Sequence, residues 1–275
     1  MRKRGFKNFL LVLLVGVGFL TVFLAGSARA QDYTVKELNE QLVLGTVWYQ
    51  RSAEVRALSY QAFNFAKLIF DLDLQKGASG KKRAVAVDID ETVLDNSPYE
   101  AGIVDNNFGY PTGWGDWCNA GIAKALPGAV DFLKYVVSKG GDVFYISNRK
   151  MKYKEGTMNN LKALEFPQVT DDHMLLREKT SNKEPRREMV RKEHRIVLMM
   201  GDNLNDFDNL FRKKSLDDRA AAVDQVKGQF GSKFIVLPNP MYGDWEGGVY
   251  KGNWKLSPAE KNKARKAALI KWNMK

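Results

Sequence analysis

The hydrophobic pattern at the start of the chain differs from everything that follows. The first residues are basic, and residues 9–24 form an uncharged, almost wholly apolar run. Ala28-Arg29-Ala30 then has the small-x-small spacing of a cleavage site. We therefore predict a signal peptide over residues 1–30, cleaved after Ala30, which directs export to the periplasm or cell envelope, or secretion. The alternative is a retained membrane anchor, because the apolar run is only slightly short of a bilayer span.

The pattern of the remaining residues, 31–275, predicts one domain. Apolar positions recur at three- and four-residue steps over residues 33–76, which indicates helix. After Gly77 and Gly80, short apolar runs alternate with helical stretches, as in a Rossmann-like α/β fold with a parallel sheet and helices on both faces. Strands are predicted at residues 84–89, 142–146, 173–176, 195–200 and 234–237. Helices are predicted at residues 128–137, 154–164, 183–192 and 258–274, and another is predicted to open at residues 206–211.

One interval breaks this alternation. Residues 96–126 separate the first strand from the next helix and are rich in Gly, Asn, Tyr and Trp. A long insertion over the ligand end of a sheet is typically a functional loop or lid. We predict a small, mostly helical cap there.

The charges exclude one class of partner. The formal net charge is +11, but five of the basic residues lie within residues 1–30. The clusters Lys81-Lys82-Arg83 and Arg186-Arg187 are not interleaved with aromatic residues, so we interpret both as solvated faces and expect no nucleic-acid polymer as partner. A mild attraction for anionic small molecules is the remaining inference.

The cysteine and histidine residues do not indicate a disulfide, a catalytic cysteine or a histidine metal site. Cys118 is the only cysteine, so the chain has no intramolecular disulfide and no cysteine near residue 30 that could carry a lipid. Neither His173 nor His194 has a recognisable arrangement with Cys118 or with metal-ligand neighbours. We interpret both histidines as structural or surface residues.

Two carboxylates leave the first predicted strand together. Asp88 and Asp90 directly follow the apolar run of residues 84–87. Alternate strand residues point to the same side, so both acids face one site at the carboxyl end of the strand. Open α/β sheets bind their ligands at that edge. Paired acids there suit either a nucleophile with a general acid/base partner or a hard-cation site.

Further polar segments follow the other strands in the same way, so we expect them to converge on the acid pair. Acids, a lysine, a hydroxyl group and a divalent cation such as Mg²⁺ together form a phosphoryl-transfer site. One carboxylate could attack phosphorus while its neighbour protonates the leaving oxygen. The converging segments are Ser147-Asn148-Arg149, Lys179 to Lys183, and Gly201-Asp202 to Asp206.

These segments resemble the four motifs of the haloacid dehalogenase (HAD) superfamily. More narrowly, VDIDETVLDNSPYE, VFYISNRK, KTSNK, GDNLNDF and LPNPMYGDWEG resemble the bacterial class C acid phosphatases, a group of exported acid phosphatases and 5′-nucleotidases. The motifs span residues 88–245. One departure is that well-known members are lipoproteins with a lipidated cysteine, which this chain lacks.

The resemblance implies a role for each acid. Asp88 is the nucleophile that becomes an aspartyl-phosphate, and Asp90 is the general acid and then the base that activates water. Asp88, the backbone carbonyl of Asp90, and Asp202 are implied ligands of Mg²⁺, with Asp206 ordering the surroundings of the metal.

The resemblance also implies which groups hold the substrate. Ser147, Asn148 and Lys183 hold the phosphoryl group, with Lys179 as the competitor for the lysine role. Arg149 remains open between an active-site residue and a solvated charge.

The predicted substrates are phosphomonoesters, including nucleoside 5′-monophosphates. Trp114 or Trp117 from the cap, together with Tyr242, could stack on a nucleobase. The alternatives are another HAD-superfamily phosphatase or phosphotransferase, or a noncatalytic nucleotide-binding surface protein. The oligomeric state, including a homo-oligomer, stays open.

Overall fold

The computed structural model describes residues 33–77 and 80–272. The predicted signal peptide and its cleavage site therefore lie outside the described residues. Within the described ranges, no helix is both long enough and apolar enough to cross a bilayer.

From residue 33 onward, three helices precede the sheet. They are α1 (Val35–Asn39), α2 (Val43–Arg51) and α3 (Ala53–Gln75), and a 3₁₀ turn at Glu40–Leu42 joins the first two. The Ser52 side chain accepts a hydrogen bond from the backbone N–H of Val55 and so caps the long α3. The prediction of helix over residues 33–76 is confirmed.

Strands and helices then alternate along the chain. The strands are β1 (Lys82–Val87), β2 (Leu94–Asp95), β3 (Lys124–Ala125), β4 (Asp142–Lys150), β5 (Met174–Arg177), β6 (His194–Gly201) and β7 (Phe234–Val236). The helices are α4 (Ser97–Val104), α5 (Trp114–Ala120), α6 (Ala129–Ser138), α7 (Lys154–Ala163), α8 (Glu184–Glu193), α9 (Leu216–Gln225), α10 (Asp244–Val249) and α11 (Pro258–Ala267).

The main sheet is parallel and carries helices on both faces. Among the described residues it has five strands in the order β5-β4-β1-β6-β7, with β1 in the centre. Val85 and Val87 pack with residues of α3 and α6, such as Phe63 and Phe132. The alternate residues of β1, Ala84 and Ala86, pack on the other face with α8 and α9. The predicted α/β fold is confirmed.

Two predicted helices differ from the structure. Instead of opening a helix at residues 206–211, the chain forms two 3₁₀ turns, Leu204–Asp206 and Asn209–Phe211, and the next helix, α9, begins at Leu216. Side chains bind the backbone locally here: Asp208 accepts a hydrogen bond from the N–H of Leu210 at 2.8 Å. The C-terminal helix α11 ends at Ala267, before the predicted residue 274.

The insertion between β1 and α6 contains α4 and α5, framed by the antiparallel pair β2–β3. The insertion approaches α7 closely at Gly156. A Cβ atom at this position would clash with the backbone of Cys118 and Asn119 in α5. A glycine at 156 therefore allows α5 to lie directly against α7, which positions this part of the cap.

Ion pairs join the amino ends of the central strands. Asp73, near the end of α3, accepts hydrogen bonds from Arg83 of β1 at 2.7 Å and from Arg195 of β6 at 2.5 and 2.8 Å. Asp142 of β4 similarly accepts from Lys82 at 2.7 Å and from His194 at 2.8 Å. The amino edge of the sheet is thus held together by charge pairs.

We expect the Asp73→Asn substitution to lower the free energy of unfolding by about 2 kcal/mol at pH 7, less than for a fully buried pair because Arg195 is partly exposed. Arg195 and, after it, Arg83 lower the pKa of Asp73 in the folded protein, against the effect of burial. The stabilisation is therefore complete above about pH 5 and is lost as the pH falls through the folded-state pKa. Denaturant unfolding at pH 7 and at low pH measures the change.

The exposed Asp172→Asn is the matched control and should leave the unfolding free energy nearly unchanged. A penalty for Asp73→Asn that is equal at both pH values would contradict the assignment to the ion pairs.

Candidate active site

Asp88 continues directly from β1, the central strand. Its backbone N–H donates to the carbonyl of Met200 at 2.9 Å, so pairing with β6 extends one residue beyond the strand. Ile89 is fully buried in the core, and the chain turns sharply at Glu91, whose φ is 51°. Asp88 and Asp90 are thereby delivered at the carboxyl edge of the sheet.

Three carboxylates from two strand ends form one cluster. Each of Asp88, Asp202 and Asp206 has a carboxylate oxygen within 4.8 Å of the other two. Asp206 reaches the cluster through a tight turn, in which its Oδ2 accepts a hydrogen bond from the N–H of Asn203 at 3.0 Å. A Cβ atom at Gly201 would clash with the Asp206 side chain, so this approach requires glycine there.

The cluster is electrostatically costly by itself. Burial raises the pKa of Asp88 to about 7; Lys183 opposes this effect, while Asp206 and Asp90 add to it. Burial, followed by the charges of Asp206 and Asp88, also raises the pKa of Asp202 well above its ordinary value. Closely spaced oxygen ligands that repel one another in a buried site are suited to a hard divalent cation.

Lys183 supplies one positive charge to this cluster. Its Nζ lies 2.6 Å from Asp88 Oδ1 and 2.6 Å from Asp206 Oδ1, and its side chain is 3% exposed. Burial lowers the pKa of Lys183, but the two carboxylates outweigh burial and raise it. The competing Lys179 is exposed, so the structure brings Lys183 and not Lys179 to the acids.

Asp90 lies outside the carboxylate cluster. Its Oδ1 accepts hydrogen bonds from Arg149 Nε at 2.8 Å and from Asn96 Nδ2 at 2.9 Å. The carboxylate of Asp90 is therefore not among the candidate metal ligands, and only its predicted backbone carbonyl remains for that role. Arg149, which the sequence left open, is 1% exposed and belongs to the site.

Ser147 and Asn148 follow in β4. Ser147 is fully buried, and its Oγ accepts a hydrogen bond from the N–H of Arg149 at 3.1 Å, which leaves its own O–H to donate. The Oδ1 of Asn148 accepts from Arg186 Nη2 at 2.7 Å. This hydrogen bond occupies the side-chain oxygen of Asn148 at the predicted phosphate site.

The prediction that Arg186-Arg187 forms a solvated face is wrong, because both side chains are buried. Arg186 also donates to the carbonyl of Ser147, and Arg187 donates to the carbonyls of Asn205 (3.2 Å) and Asp206 (2.7 Å). The first turns of α8 therefore brace both the Ser147 and the Asp206 segments. In the sequence, only the neighbouring segment Lys179 to Lys183 indicated that these two arginines lie close to the site.

The three predicted base-binding aromatics lie in different surroundings. Trp114 is 8% exposed, packs edge-on against Tyr99 and lies beside the Arg149 guanidinium. This burial does not favour Trp114 as a stacking surface. Trp117 and Tyr242 are half-buried at the edge of the core.

Sequence reasoning missed two neighbours of the acids. Tyr49 of α2 is buried; burial, then the charges of Glu91, Asp95 and Asp202, raises its pKa. Asn239, which lies in the LPNPMYG string, donates to Asp202 Oδ2 at 2.8 Å. The helical pattern of residues 33–76 carried no signal for Tyr49.

A cavity of about 260 Å³ opens beside Asp202. Leu216 and Val223 of α9 form apolar walls, Arg219 adds a charge, and the partly exposed Trp245 contributes an aromatic surface. Of the three clustered acids, Asp202 is the one that lines this cavity.

Comparisons with known proteins point to one family. Residues 24–245 match the family HAD superfamily, subfamily IIIB (acid phosphatase). The class C acid phosphatase from Bacillus anthracis has a similar structure, with a TM-score of 0.83 and 50% sequence identity over 86% of this chain and 99% of that chain. The same figures hold for that enzyme with tungstate bound.

Two plant proteins are more distant relatives. The Stem 31 kDa glycoprotein of Glycine max is 30% identical over 164 residues, and this alignment spans only 57% of that protein. Acid phosphatase 1 of Solanum lycopersicum is 27% identical over 200 residues, 69% of this chain and 68% of that protein. Because the family match covers most of the chain, the resemblance predicted from the motifs is confirmed: the chain belongs to subfamily IIIB of the HAD superfamily, the acid phosphatases, and is a phosphomonoesterase.

Proposed function

We propose that this protein is an Mg²⁺-dependent phosphomonoesterase that acts through an aspartyl-phosphate intermediate, with nucleoside 5′-monophosphates among its substrates. One observation carries the proposal: the two acids of the β1 end have separate surroundings. Asp88 lies with Asp202, Asp206 and Lys183, whereas Asp90 is held by Arg149. Two carboxylates in different environments suit two different roles.

Asp88 is the nucleophile in this proposal. Its position directly after the central strand is rigid, because β1 is paired on both sides with β4 and β6. Attack of its carboxylate on phosphorus forms an acyl phosphate and expels the leaving group, so one difficult displacement becomes two easier steps. Lys183 balances charge beside the reacting oxygens, and the Ser147 hydroxyl donates to a phosphoryl oxygen.

Asp90 moves the protons. It protonates the leaving oxygen in the first step and removes a proton from water in the second, which regenerates Asp88 and releases phosphate. Its carboxylate is outside the acid cluster, so it can change protonation state without serving as a metal ligand.

The donor set fits Mg²⁺. Asp88, Asp202 and Asp206 offer carboxylate oxygens alone, and their mutual repulsion calls for a cation in addition to Lys183. When bound, the ion would neutralise these acids and polarise the phosphoryl oxygens.

The substrate class is proposed from the surroundings of the cluster. Tyr242 follows Asn239, which binds Asp202, so its ring belongs to the same loop as a partner of the acid cluster. Aromatic stacking tolerates any base. Export rests on residues 1–30 alone and stays a prediction.

Asp88→Asn should lower kcat for p-nitrophenyl phosphate by at least roughly a thousandfold, because an amide cannot serve as the nucleophile. Steady-state hydrolysis, with thermal unfolding to verify the fold, measures the loss. The matched control is Asp172→Asn, an exposed carboxylate that should retain wild-type kcat. Wild-type turnover by Asp88→Asn would rule out the covalent mechanism.

Chelation by EDTA should abolish activity, and Mg²⁺ should restore it. Asp202→Asn should raise the Mg²⁺ concentration needed for half-maximal activity by roughly 10- to 100-fold, because it removes a charged ligand. It should also reduce the rise in melting temperature that Mg²⁺ gives the wild-type protein. Full activity in EDTA would contradict the metal requirement.

Tyr242→Ala should raise KM for adenosine 5′-monophosphate roughly tenfold through loss of stacking. KM for phenyl phosphate, which has no base, should change little. The exposed Trp272→Ala is the aromatic control and should alter neither KM. Equal changes in KM for both substrates would assign Tyr242 to packing.

A further inference from the structure

Asn96 occupies the N-cap position of α4 but does not cap the helix. Asparagine is favoured at this position because its side chain normally accepts a hydrogen bond from a backbone N–H in the first turn. The Asn96 side chain makes no such bond. Asp95 Oδ1 instead accepts from the N–H of Ser97 at 2.9 Å. The amide of Asn96 is fully buried and is free to bind groups outside the helix.

Both the oxygen and the nitrogen of the Asn96 amide make hydrogen bonds to other side chains. Asn96 Oδ1 accepts from Trp117 Nε1 at 2.8 Å and from Arg149 Nη2 at 2.9 Å. On its other side, Nδ2 donates to Asp90 Oδ1 at 2.9 Å and, at 3.4 Å, to Glu91 Oε2. Neither the indole nor the guanidinium can accept a hydrogen bond, so the amide oxygen of Asn96 must face these two groups and its NH₂ must face Asp90.

The backbone of Asn96 is fixed as well. Its N–H donates to Glu91 Oε1 at 2.7 Å, and Glu91 is fully buried in the turn that follows Asp90. Asn96 is therefore held by main chain and side chain together, and its amide cannot rotate without leaving buried polar groups unpaired.

These contacts determine which carboxylate oxygen of Asp90 is engaged in hydrogen bonds. Within residues 33–77 and 80–272, the hydrogen bonds to this carboxylate come from Asn96 and Arg149 and end on the same oxygen, Oδ1. Because Oδ1 already accepts two N–H groups, a proton is most stable on Oδ2. The two donors therefore fix the rotation of the carboxylate and select the oxygen that carries the proton.

The cap takes part in this arrangement. Trp117 lies in α5, and its Nε1 reaches across to the Asn96 amide. Arg149 comes from β4 in the main sheet. Asn96 thus connects the cap, the sheet and Asp90 through one buried amide.

We propose that Asn96 is a positioning residue for the general acid: it holds Oδ1 of Asp90, so that Oδ2 donates and recovers the proton, and it ties this orientation to the cap through Trp117. The inference rests on the proposed function and deepens it.

Asp90 gives up one proton in the first step and regains one in the second. As Asp88 bonds to phosphorus, the phosphorus–oxygen ester bond breaks, its electron pair goes to the leaving oxygen, and the proton of Asp90 Oδ2 joins that oxygen to give an alcohol. Water then attacks the aspartyl-phosphate, its proton passes to Asp90 Oδ2, and phosphate leaves with regeneration of the Asp88 carboxylate. Asn96 touches none of the reacting atoms.

The test compares two esters that differ in how much they need an acid. Phenyl phosphate has a strongly basic leaving oxygen that requires protonation, whereas dinitrophenyl phosphate has a weakly basic one that does not. The constant kcat/KM reports the step that expels the leaving group. Asn96→Ala should lower kcat/KM for phenyl phosphate roughly 10- to 100-fold more than for dinitrophenyl phosphate.

The exposed Asn64→Ala on α3 is the matched control and should leave the ratio of the two constants unchanged. An equal loss on both esters, or no loss on either, would overturn the positioning role of Asn96. Failure of the wild-type protein to hydrolyse either ester would instead refute the proposed function, so the two failures are distinguishable.

If Asn96→Ala does not fold, Trp117→Phe carries the test. This substitution keeps a smaller aromatic ring and removes the indole N–H that reaches the Asn96 amide. Its ratio should shift in the same direction by roughly threefold to tenfold. Loss of stacking would penalise the electron-poor dinitrophenyl ester more and so move the ratio in the opposite direction. An unchanged ratio would overturn the link to the cap.

Discussion

Repulsion among buried carboxylates is the constraint on which this site depends. Asp88, Asp202 and Asp206 share one small volume, and burial strengthens their mutual repulsion. Lys183 offsets part of this charge with two contacts of 2.6 Å. The surrounding loops are built to keep the acids in place: Arg187, for example, donates to the backbone of Asp206. One lysine cannot balance three carboxylates, and this imbalance is the basis for the proposed divalent cation.

The two edges of the sheet carry different arrangements of charge, one that stabilises the fold and one that forms the active site. At the amino edge, Asp73 and Asp142 are each paired with cationic side chains from neighbouring strands. At the carboxyl edge, burial and, after it, the neighbouring carboxylates raise the pKa values of Asp88 and Asp202. The same parallel sheet supports both arrangements, because all its strands point the same way.

Local pattern explains both what could be predicted from the sequence and what could not. Strand period and strand-end acids are local properties, so the parallel sheet and the convergence of Asp88 with Asp202 were predictable. The burial of Arg186 and Arg187 was not, because a charge pair looks the same whether its helix faces solvent or two loops. The turns at residues 204–211 were missed because side-chain hydrogen bonds to the backbone replaced helical ones there.

The sequence by itself determined the fold class, the family and the set of acids, because these depend on periodicity and on motifs that are continuous in the chain. Only the tertiary structure decided which groups meet. It brought Lys183 rather than Lys179 to the acids, covered Trp114, and turned the Asn96 amide toward Asp90. These choices depend on contacts between residues far apart in the chain, whose geometry is set by packing and charge balance and leaves no local pattern.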